Sequence, residues 1–423
     1  MKLNEYKQIN EQVYSGKLPN GLSVFVVPKP GFHKKFALFA TDYGGIDRRF
    51  KIAGNWHDTP AGVAHFLEHK MFDTESDNVM EQFSLNGASP NAYTSTDLTA
   101  YYFECTDKFY ENLELLLSFV SVPYFTPESV KKEQGIIAQE ILMTEDDPDY
   151  CLYYGLLKSL FKSNPLRDSI AGTVESISAI TADTLYDCHK IFYAPSNMAL
   201  CVVGDVDPCK IFDKAAEILP EGVGENPVRD YGVPETLLPL TSTFSSAMDV
   251  SLPIFLAGCK IDPGSDDENV LWREIVSAVA LEVLCGHSSP LYFRLYAEGS
   301  VNSDFYASFD SAAGAAYVLF GGEARDPQYV FNEVLNEVKT FALHGPDKAL
   351  FERTKKAAIG SHIRALNSFN AIASSIVEGY FRNFDPFDAP KMLTQITIDD
   401  IKEFVRKNLV PENMAISVIN PVK

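Results

Sequence analysis

The chain has 423 residues, of which 46% are hydrophobic and 22% are charged. This length is too great for one ordinary hydrophobic core and indicates two domains. The formal net charge of -21 argues against nucleic acid and anionic membrane as partners, because both are negatively charged and would repel so acidic a protein. The charge fits an acidic chamber for basic peptides or, more simply, a surface that keeps the protein in solution.

The seven cysteines, an odd number without a Cys-x-x-Cys motif, indicate neither a disulfide framework nor a cysteine-based zinc site. Cys105, Cys201 and Cys259 lie in apolar, strand-like runs, so we expect them to be buried, in a protein of a reducing compartment. The first residues lack the apolar core of a signal peptide, and no apolar run approaches the roughly 18 residues that span a bilayer. These features predict a cytoplasmic protein.

The first elements along the chain are two predicted strands, at residues 21–27 and 36–43, followed by a helix with a metal-binding pattern. That helix contains His65-Phe66-Leu67-Glu68-His69. Because positions i and i+4 share a helix face, both imidazoles can bind one metal ion, and Glu68 can reach a water on it. The alternative is a polar helix face with two ordinary histidines.

Further strands at residues 93–94 and 99–104 and a helix at 108–120 precede a second informative helix, predicted over 126–146. Glu133 and Glu140 lie seven residues apart on one face of it. One carboxylate can complete a His2Glu set whose fourth position is left to water, and the other can support a ligand. The alternative is a pair of solvent-exposed carboxylates.

These motifs resemble those of the pitrilysin/insulinase family of zinc metallopeptidases, the inverzincins. The most similar group is the short-chain bacterial branch, which is related to the mitochondrial processing peptidases. The resemblance rests on three segments: AHFLEH at 64–69, NAYTS at 91–95 and EQGIIAQE at 133–140. It covers most of the amino-terminal half and implies a zinc peptidase.

The resemblance also implies a role for each carboxylate. Glu140, rather than the nearby Glu145, is expected to bind zinc with the two histidines, one Zn²⁺ per chain. Glu68 and Glu133 are the expected catalytic carboxylates, Glu68 as general base and Glu133 as the supporting residue. The segment between His69 and Glu140 is a few residues shorter than is usual in the family, near 74–78, which leaves the ligand assignment intact.

A repeated segment indicates an internal duplication. ITADTL at 180–185 recurs as ITIDDI at 396–401, and PSNMA at 195–199 recurs as PENMA at 411–415. Both pairs share one offset of 216 residues (396 − 180). Each copy predicts a capped amphipathic helix, a turn and an apolar strand.

The duplication predicts a catalytic domain over 1–217, a linker over 218–243 and a degenerate second copy over 244–423. The second copy has predicted strands at 254–258 and 315–320, and predicted helices at 267–284 and 327–343. We therefore expect an α+β fold of two similar domains, each a sheet covered by helices. The resemblance implies that the sheets are largely antiparallel and that the domains enclose a cavity.

Only the first copy has the metal-binding pattern. The offset of 216 brings His65, Glu68 and His69 onto the apolar or cysteine positions 281, 284 and 285, so the second copy is expected to shape the cavity and bind substrate. In the family, an arginine and a tyrosine of this half help to hold the substrate carbonyl. The candidates here are Arg294 and Tyr296, although alignment brings Tyr296 and Asn302 to those positions and leaves Arg294 out of register.

The expected mechanism follows from these assignments. Zinc lowers the pKa of its water to roughly 7 and polarises the scissile carbonyl, while Glu68 takes a proton and passes it to the leaving amine. Asn91, Ala92 and Tyr93 are the expected substrate-binding residues on a strand that pairs with an extended peptide. The alternative for Asn91 is a turn residue after Ser89 and Pro90.

The predicted function is zinc-dependent endoproteolysis of peptides or unfolded segments. The alternative is a noncatalytic or partner-dependent subunit of a two-chain processing assembly, and the resemblance makes a homodimer, or a heterodimer with a paralogous chain, the expected state. A structural zinc protein is a third possibility, but a His2Glu site beside a free glutamate is of the open, catalytic type.

Overall fold

The computed structural model describes residues 1–74, 79–264, 269–312 and 314–422. The chain divides into two compact units, and each is discontinuous in sequence. The first unit comprises residues 1–141, 169–231 and 363–387, and the second comprises 142–168, 232–362 and 388–423. The observed division differs from the predicted contiguous boundaries mainly at two segments, 142–168 and 363–387.

The elements are named here in chain order. The strands are β1 Lys2–Tyr6, β2 Glu11–Lys17, β3 Ser23–Pro28, β4 Lys35–Thr41, β5 Arg49–Ile52, β6 Asn55–Asp58, β7 Ala88–Thr94, β8 Thr99–Cys105, β9 Met198–Gly204, β10 Val228–Arg229, β11 Thr243–Met248, β12 Ile254–Ile261, β13 Tyr306–Ala312, β14 Ala315–Glu323 and β15 Met414–Pro421. The helices are α1 Val63–Met71, α2 Val79–Leu85, α3 Phe109–Ser121, α4 Pro127–Glu145, α5 Pro148–Leu160, α6 Val174–Ser178, α7 Ala182–Phe192, α8 Pro208–Ile218, α9 Val270–Cys285, α10 Pro290–Ala297, α11 Pro327–His344, α12 Lys348–Ala365, α13 Phe369–Phe381, α14 Ala389–Gln395 and α15 Ile398–Asn408. Two predicted features, the start of the helix at 267 and part of the shortened segment at 74–78, lie outside the described residues.

Each unit is built on an open sheet, and the two sheets repeat one strand order. Within the described residues, the first sheet runs β1-β2-β3-β9-β4-β8-β7 and the second runs β11-β15-β12-β14-β13. All neighbouring strands are antiparallel except β3 with β9 and β11 with β15. The five strands β3-β9-β4-β8-β7 therefore correspond in order and direction to the whole second sheet. This confirms the predicted α+β class and the largely antiparallel sheets.

The repeated sequence segment forms the same structure in both units. Thr181 caps α7 by accepting the N–H of Thr184, and Thr397 caps α15 by accepting the N–H of Asp400. Such threonine caps satisfy backbone donors that the first helical turn leaves unpaired. Each helix leads through a short turn into an inner strand, β9 or β15, which supports the duplication.

The units are discontinuous because each sheet is covered by a helix from a distant part of the chain. In the first unit, α13 packs its buried Ile372 and Val377 against the sheet face that contains Leu38. In the second unit, α5 packs on β11, β12 and β15. Gly155 permits that contact, because a Cβ there would lie 2.5 Å from the Phe244 ring.

The predicted linker is partly ordered against the first unit. Its strand β10 pairs with β5 in a small sheet that also contains β6. Arg229 forms ion pairs of 2.9 Å with Asp42 and 3.0 Å with Asp47, and the Tyr231 hydroxyl donates to Asp47. Burial raises the pKa of Asp47 to about 7, although the positive charge of Arg229 opposes the shift.

The structure also shows where three of the cysteines and a long apolar stretch of the chain, which spans α9 and α10, are buried. Cys105, Cys201 and Cys259 are free and buried, as predicted. Among the described residues, the stretch Val270–Ala297 is long and apolar enough by composition to cross a membrane, but 67% of its most apolar window is buried inside the folded chain. That burial is what the core helix of a folded domain shows.

Candidate metal centre

The first element of the site is α1, which has one buried apolar face and one partly exposed polar face. Gly62 begins the helix at φ 98°, where a Cβ would also lie 2.5 Å from the carbonyl oxygen of Ala171. Val63, Ala64, Phe66, Leu67 and Met71 are buried in the core of the first unit. The helical period therefore leaves His65, Glu68 and His69 on the opposite, partly exposed face.

The second element is α4, which begins at a reciprocal cap. The N–H of Ser129 donates to the Thr126 hydroxyl oxygen, and the N–H of Thr126 donates to that of Ser129. Val130, Ile137 and Ile141 are buried along one side of the helix. This packing directs Glu133 and Glu140 toward α1.

The two helices bring three candidate ligands together. Glu140 Oε1 lies 3.5 Å from His65 Nε2, and Glu140 Oε2 lies 3.5 Å from His69 Nε2. Ligand atoms of the three residues all lie within 4.8 Å of one another. Among the residues that the structure describes, this is the group that meets the spacing for a metal ion.

The geometry and chemistry of this group fit Zn²⁺. Two neighbouring ligands of a tetrahedral zinc, at bonds of about 2.1 Å, are separated by about 3.4 Å. Each histidine Nε2 has one Glu140 oxygen at 3.5 Å, Oε1 for His65 and Oε2 for His69, which is close to that separation. Two imidazoles and one carboxylate leave a fourth position for water or substrate, as in catalytic zinc sites. The donor set therefore suits a catalytic zinc.

Glu133 orients one of the histidines. Its Oε1 lies 3.0 Å from His69 Nδ1, which leaves Nε2 directed toward Glu140. Burial opposes protonation of His69, but the hydrogen bond with Glu133 and the charge of Glu140 outweigh it and raise the pKa of the imidazole. A carboxylate on the outer nitrogen of a ligating histidine fixes the tautomer and makes the ring a better ligand.

The third ligand, Glu140, contacts His65 as well. The hydrogen bond with His65 is the largest cause that lowers the pKa of Glu140, so its carboxylate is ionised and able to bind a cation. His65 Nδ1 is buried and has no hydrogen-bond partner among the described residues. In the part of the chain that the structure describes, the outer nitrogen of His69 therefore has a carboxylate partner, and that of His65 has none.

The candidate general base has a partner that the sequence patterns did not single out. The Thr94 hydroxyl donates to Glu68 Oε2 over 2.7 Å. Thr94 belongs to the motif at 91–95, and the motif alone predicts no role for it. A hydroxyl in contact with one carboxylate oxygen leaves the other oxygen of Glu68 available to a water.

The predicted substrate strand is β7, which lies at the edge of the first sheet and pairs with β8. The Ala92 side chain packs on the same core as α1, whereas Tyr93 packs on the core that contains α13 and hydrogen-bonds to Ser374. Asn91 is exposed, and its side-chain oxygen accepts the N–H of Ala92. The Tyr93 ring is therefore engaged within the first unit, and the Ala92 N–H is engaged by the neighbouring side chain.

The two second-half candidates lie in the second unit, and their roles stay predictions. Arg294 contacts Glu333 at 2.6 Å and Glu298 at 3.8 Å. Tyr296 is 54% exposed and stacks on Tyr292. The positions offset by 216 from the metal-binding residues are buried apolar or cysteine residues of α9, and that helix therefore has a packing role.

Comparisons with known proteins bear on the family of the chain. Residues 52–174 match the family model of Insulinase (Peptidase family M16), and residues 179–358 match that of the Peptidase M16 inactive domain. The uncharacterized zinc protease YmfH of Bacillus subtilis is 37% identical, over 99% of this chain and 98% of its own length. The uncharacterized zinc protease SCO5738 of Streptomyces coelicolor is 25% identical, over 88% of this chain and 83% of its own.

Solved structures extend the likeness to the whole fold. A protein of Alicyclobacillus acidocaldarius described as an M16-like peptidase has a TM-score of 0.94 and 34% identity, and the match covers 97% of this chain and 99% of that one. A Helicobacter pylori protease, at 18% identity, shares the fold with a TM-score of 0.84 over 97% of this chain and 100% of its own. The two matched family models together with these likenesses show that the chain belongs to the M16, or insulinase, family of peptidases.

Proposed function

We propose that this protein is a zinc-dependent endopeptidase that hydrolyses peptides or unfolded segments. The observation that supports the proposal most strongly is the convergence of His65 and His69 of α1 with Glu140 of α4, beside Glu68 on the same face of α1. The relatives named zinc proteases are themselves uncharacterized, so the proposed activity rests on this geometry.

The three ligands would hold the metal, and the remaining groups would handle protons and substrate. When bound, zinc polarises the substrate carbonyl and lowers the pKa of a water to about 7. Glu68, with Oε2 engaged by Thr94, would take the proton of the attacking water on its other oxygen. It would then donate that proton to the leaving amine. Glu133 would keep His69 Nε2 facing the metal.

Substrate would bind beside the metal by pairing with β7. This strand has β8 as its neighbour on one side and forms the edge of the first sheet. The backbone groups at a sheet edge can pair with an extended peptide. Here a peptide would displace the Asn91 side chain from the Ala92 N–H. Backbone pairing requires an unfolded segment, which fits peptides better than folded proteins as substrates.

Two variants of α1 and one of α4 test the proposal. We expect Glu68→Gln to retain about one zinc per chain and to lose hydrolysis of a peptide library, because the metal ligands are untouched. His69→Ala should lose both zinc and hydrolysis. Glu145→Gln is the matched control, since Glu145 is exposed on the same helix and should change neither. Retained turnover in purified Glu68→Gln would contradict the role of that residue.

A partner-dependent subunit is the second candidate function. The observation that favours it is that Arg294 is paired with Glu333 and Glu298. These pairs occupy the guanidinium that was expected to bind the substrate carbonyl. A partner chain would then complete the substrate site, as a homodimer or with a paralogous chain. Light scattering of the protein alone and mixed with a paralogous chain, with peptide hydrolysis measured on each species, separates the two functions. Full activity of the monomer would exclude this candidate.

A further inference from the structure

We infer that Thr94 is a positioning residue for Glu68: its hydroxyl holds one carboxylate oxygen so that the other faces the attacking water. The inference rests on the proposed function and deepens it. It also links two parts of the site, because Thr94 is the last residue of the strand β7 on which substrate would pair. The end of the substrate strand would thus set the orientation of the general base.

The contact that supports this inference is short and partly buried. Thr94 Oγ1 lies 2.7 Å from Glu68 Oε2. An ionised carboxylate only accepts hydrogen bonds, so the threonine hydroxyl is the donor. The terminal torsion of a glutamate is broad and is poorly fixed by the side chain itself. A carboxylate that must receive a proton from one direction therefore needs an external contact to hold its plane.

The position of the Thr94 hydroxyl is fixed by the hairpin that β7 forms with β8. Thr94 pairs with Thr99 across the hairpin, and the loop between them is closed by the Ser95 N–H to the Leu98 carbonyl and the Leu98 N–H to the Ser95 hydroxyl. A Cβ on Gly44 would clash with the backbone of Thr96. The loop therefore packs tightly on the segment after β4.

The neighbouring hydroxyl of Thr99 has an acceptor of its own. Thr99 Oγ1 lies 3.3 Å from Thr94 Oγ1 and 2.9 Å from the Tyr43 carbonyl oxygen. Each hydroxyl has a single proton. Because the carbonyl only accepts, Thr99 gives its proton to Tyr43, and Thr94 gives its own to Glu68. With both protons placed in this way, the two hydroxyls are neighbours without a hydrogen bond between them, and Thr94 keeps Glu68 as its acceptor.

Thr94→Val and Thr94→Ser test the role. Valine keeps the shape and removes the hydroxyl, whereas serine keeps the hydroxyl. Misplacing a reacting group by about 1 Å can cost about a hundredfold in rate. We therefore expect Thr94→Val to lower kcat between about tenfold and a hundredfold, with KM changed less than about twofold. Thr94→Ser should recover most of kcat. Thr106→Val makes the same change at an exposed threonine just after β8, outside the site, and should behave as the native protein.

Zinc content, melting temperature and crystal structures of the metal-free variants give readouts that do not depend on activity. All variants should bind one zinc and melt as the native protein does. The Glu68 carboxylate should be rotated or disordered in Thr94→Val and native-like in Thr94→Ser. A native-like carboxylate in Thr94→Val, a loss confined to KM, or no recovery by serine would overturn the inference. A native protein without peptidase activity would refute the proposed function, and the crystal structures would still decide the role of Thr94.

Discussion

Removing the Glu133 carboxylate should weaken zinc binding without touching a metal ligand. Glu133 Oε1 lies 3.0 Å from His69 Nδ1, and its side chain is 13% exposed, so solvent screens the contact little. Loss of such a partner of a ligating histidine typically weakens metal affinity by 10- to 100-fold, which is about 1.4 to 2.7 kcal/mol. Because Glu133→Ala leaves Nδ1 without its acceptor, we expect it near the upper end. Glu133→Gln keeps an oxygen acceptor but loses the charge, so we expect it near the lower end.

Competition against chelators of graded affinity measures the effect. The titration is best done at about pH 8, because Glu133 also raises the pKa of His69, and protons would otherwise compete with zinc at that ring. Glu145→Gln removes a carboxylate from the same helix and should leave the affinity unchanged. Zinc affinity of Glu133→Ala within twofold of the native value would refute the orienting role, as would an equal loss in Glu145→Gln.

Three further predictions concern stability, each measured as the free energy of unfolding in urea. Burial opposes the charge of Glu235, but the backbone N–H groups of 162–164 lower its pKa to about 2. Glu235→Gln should therefore cost about 2 to 3 kcal/mol at pH 7, and this cost should shrink below about pH 4.5. A cost that does not change with pH would contradict the reasoning. Gly155→Ala should cost about 1 to 3 kcal/mol because its Cβ meets the Phe244 ring. Gly360→Ala is the control: its Cβ would have nothing within 4 Å, so it should stabilise its helix by up to about 1 kcal/mol. Equal effects of the two substitutions would be inconsistent with the packing. Ile372 is 3% exposed, so Ile372→Ala should cost about 2 to 5 kcal/mol. Asn370→Ala, at an exposed position of the same helix, should change stability by less than about 0.5 kcal/mol. A small loss of stability in Ile372→Ala would show that α13 does not cover the first sheet.

The local part of the site could be predicted from the sequence because it depends on helical period alone. His65, Glu68 and His69 share a face of any helix that contains them, and Glu133 and Glu140 share a face of theirs. The meeting of the two faces is a tertiary contact. Only the resemblance to a family predicts this contact from the sequence, and the structure provides the distances.

The duplication could be predicted because both copies retain a threonine cap and a following apolar strand at one offset. The exchange of α5 and α13 between the units could not. An amphipathic pattern indicates that one helix face is buried, but it does not indicate which sheet buries it. The linker shows the same limit: its composition predicts a loop, whereas the ion pairs of Arg229 with Asp42 and Asp47 anchor it to the first unit.

The contact between Thr94 and Glu68 had no signal of its own in the sequence. The residues are 26 positions apart, on a strand and a helix, so no periodicity relates them. A threonine at the end of a strand is common for reasons of β propensity alone. The side-chain distance was needed to distinguish a packing residue from a partner of the general base.

The metal content of the purified protein tests the proposed centre most directly. We expect about one zinc per native chain, retained in Glu68→Gln and lost in both His69→Ala and Glu140→Ala. A native chain that binds no zinc after reconstitution, or a His69→Ala chain that still binds one, would contradict a centre made of His65, His69 and Glu140.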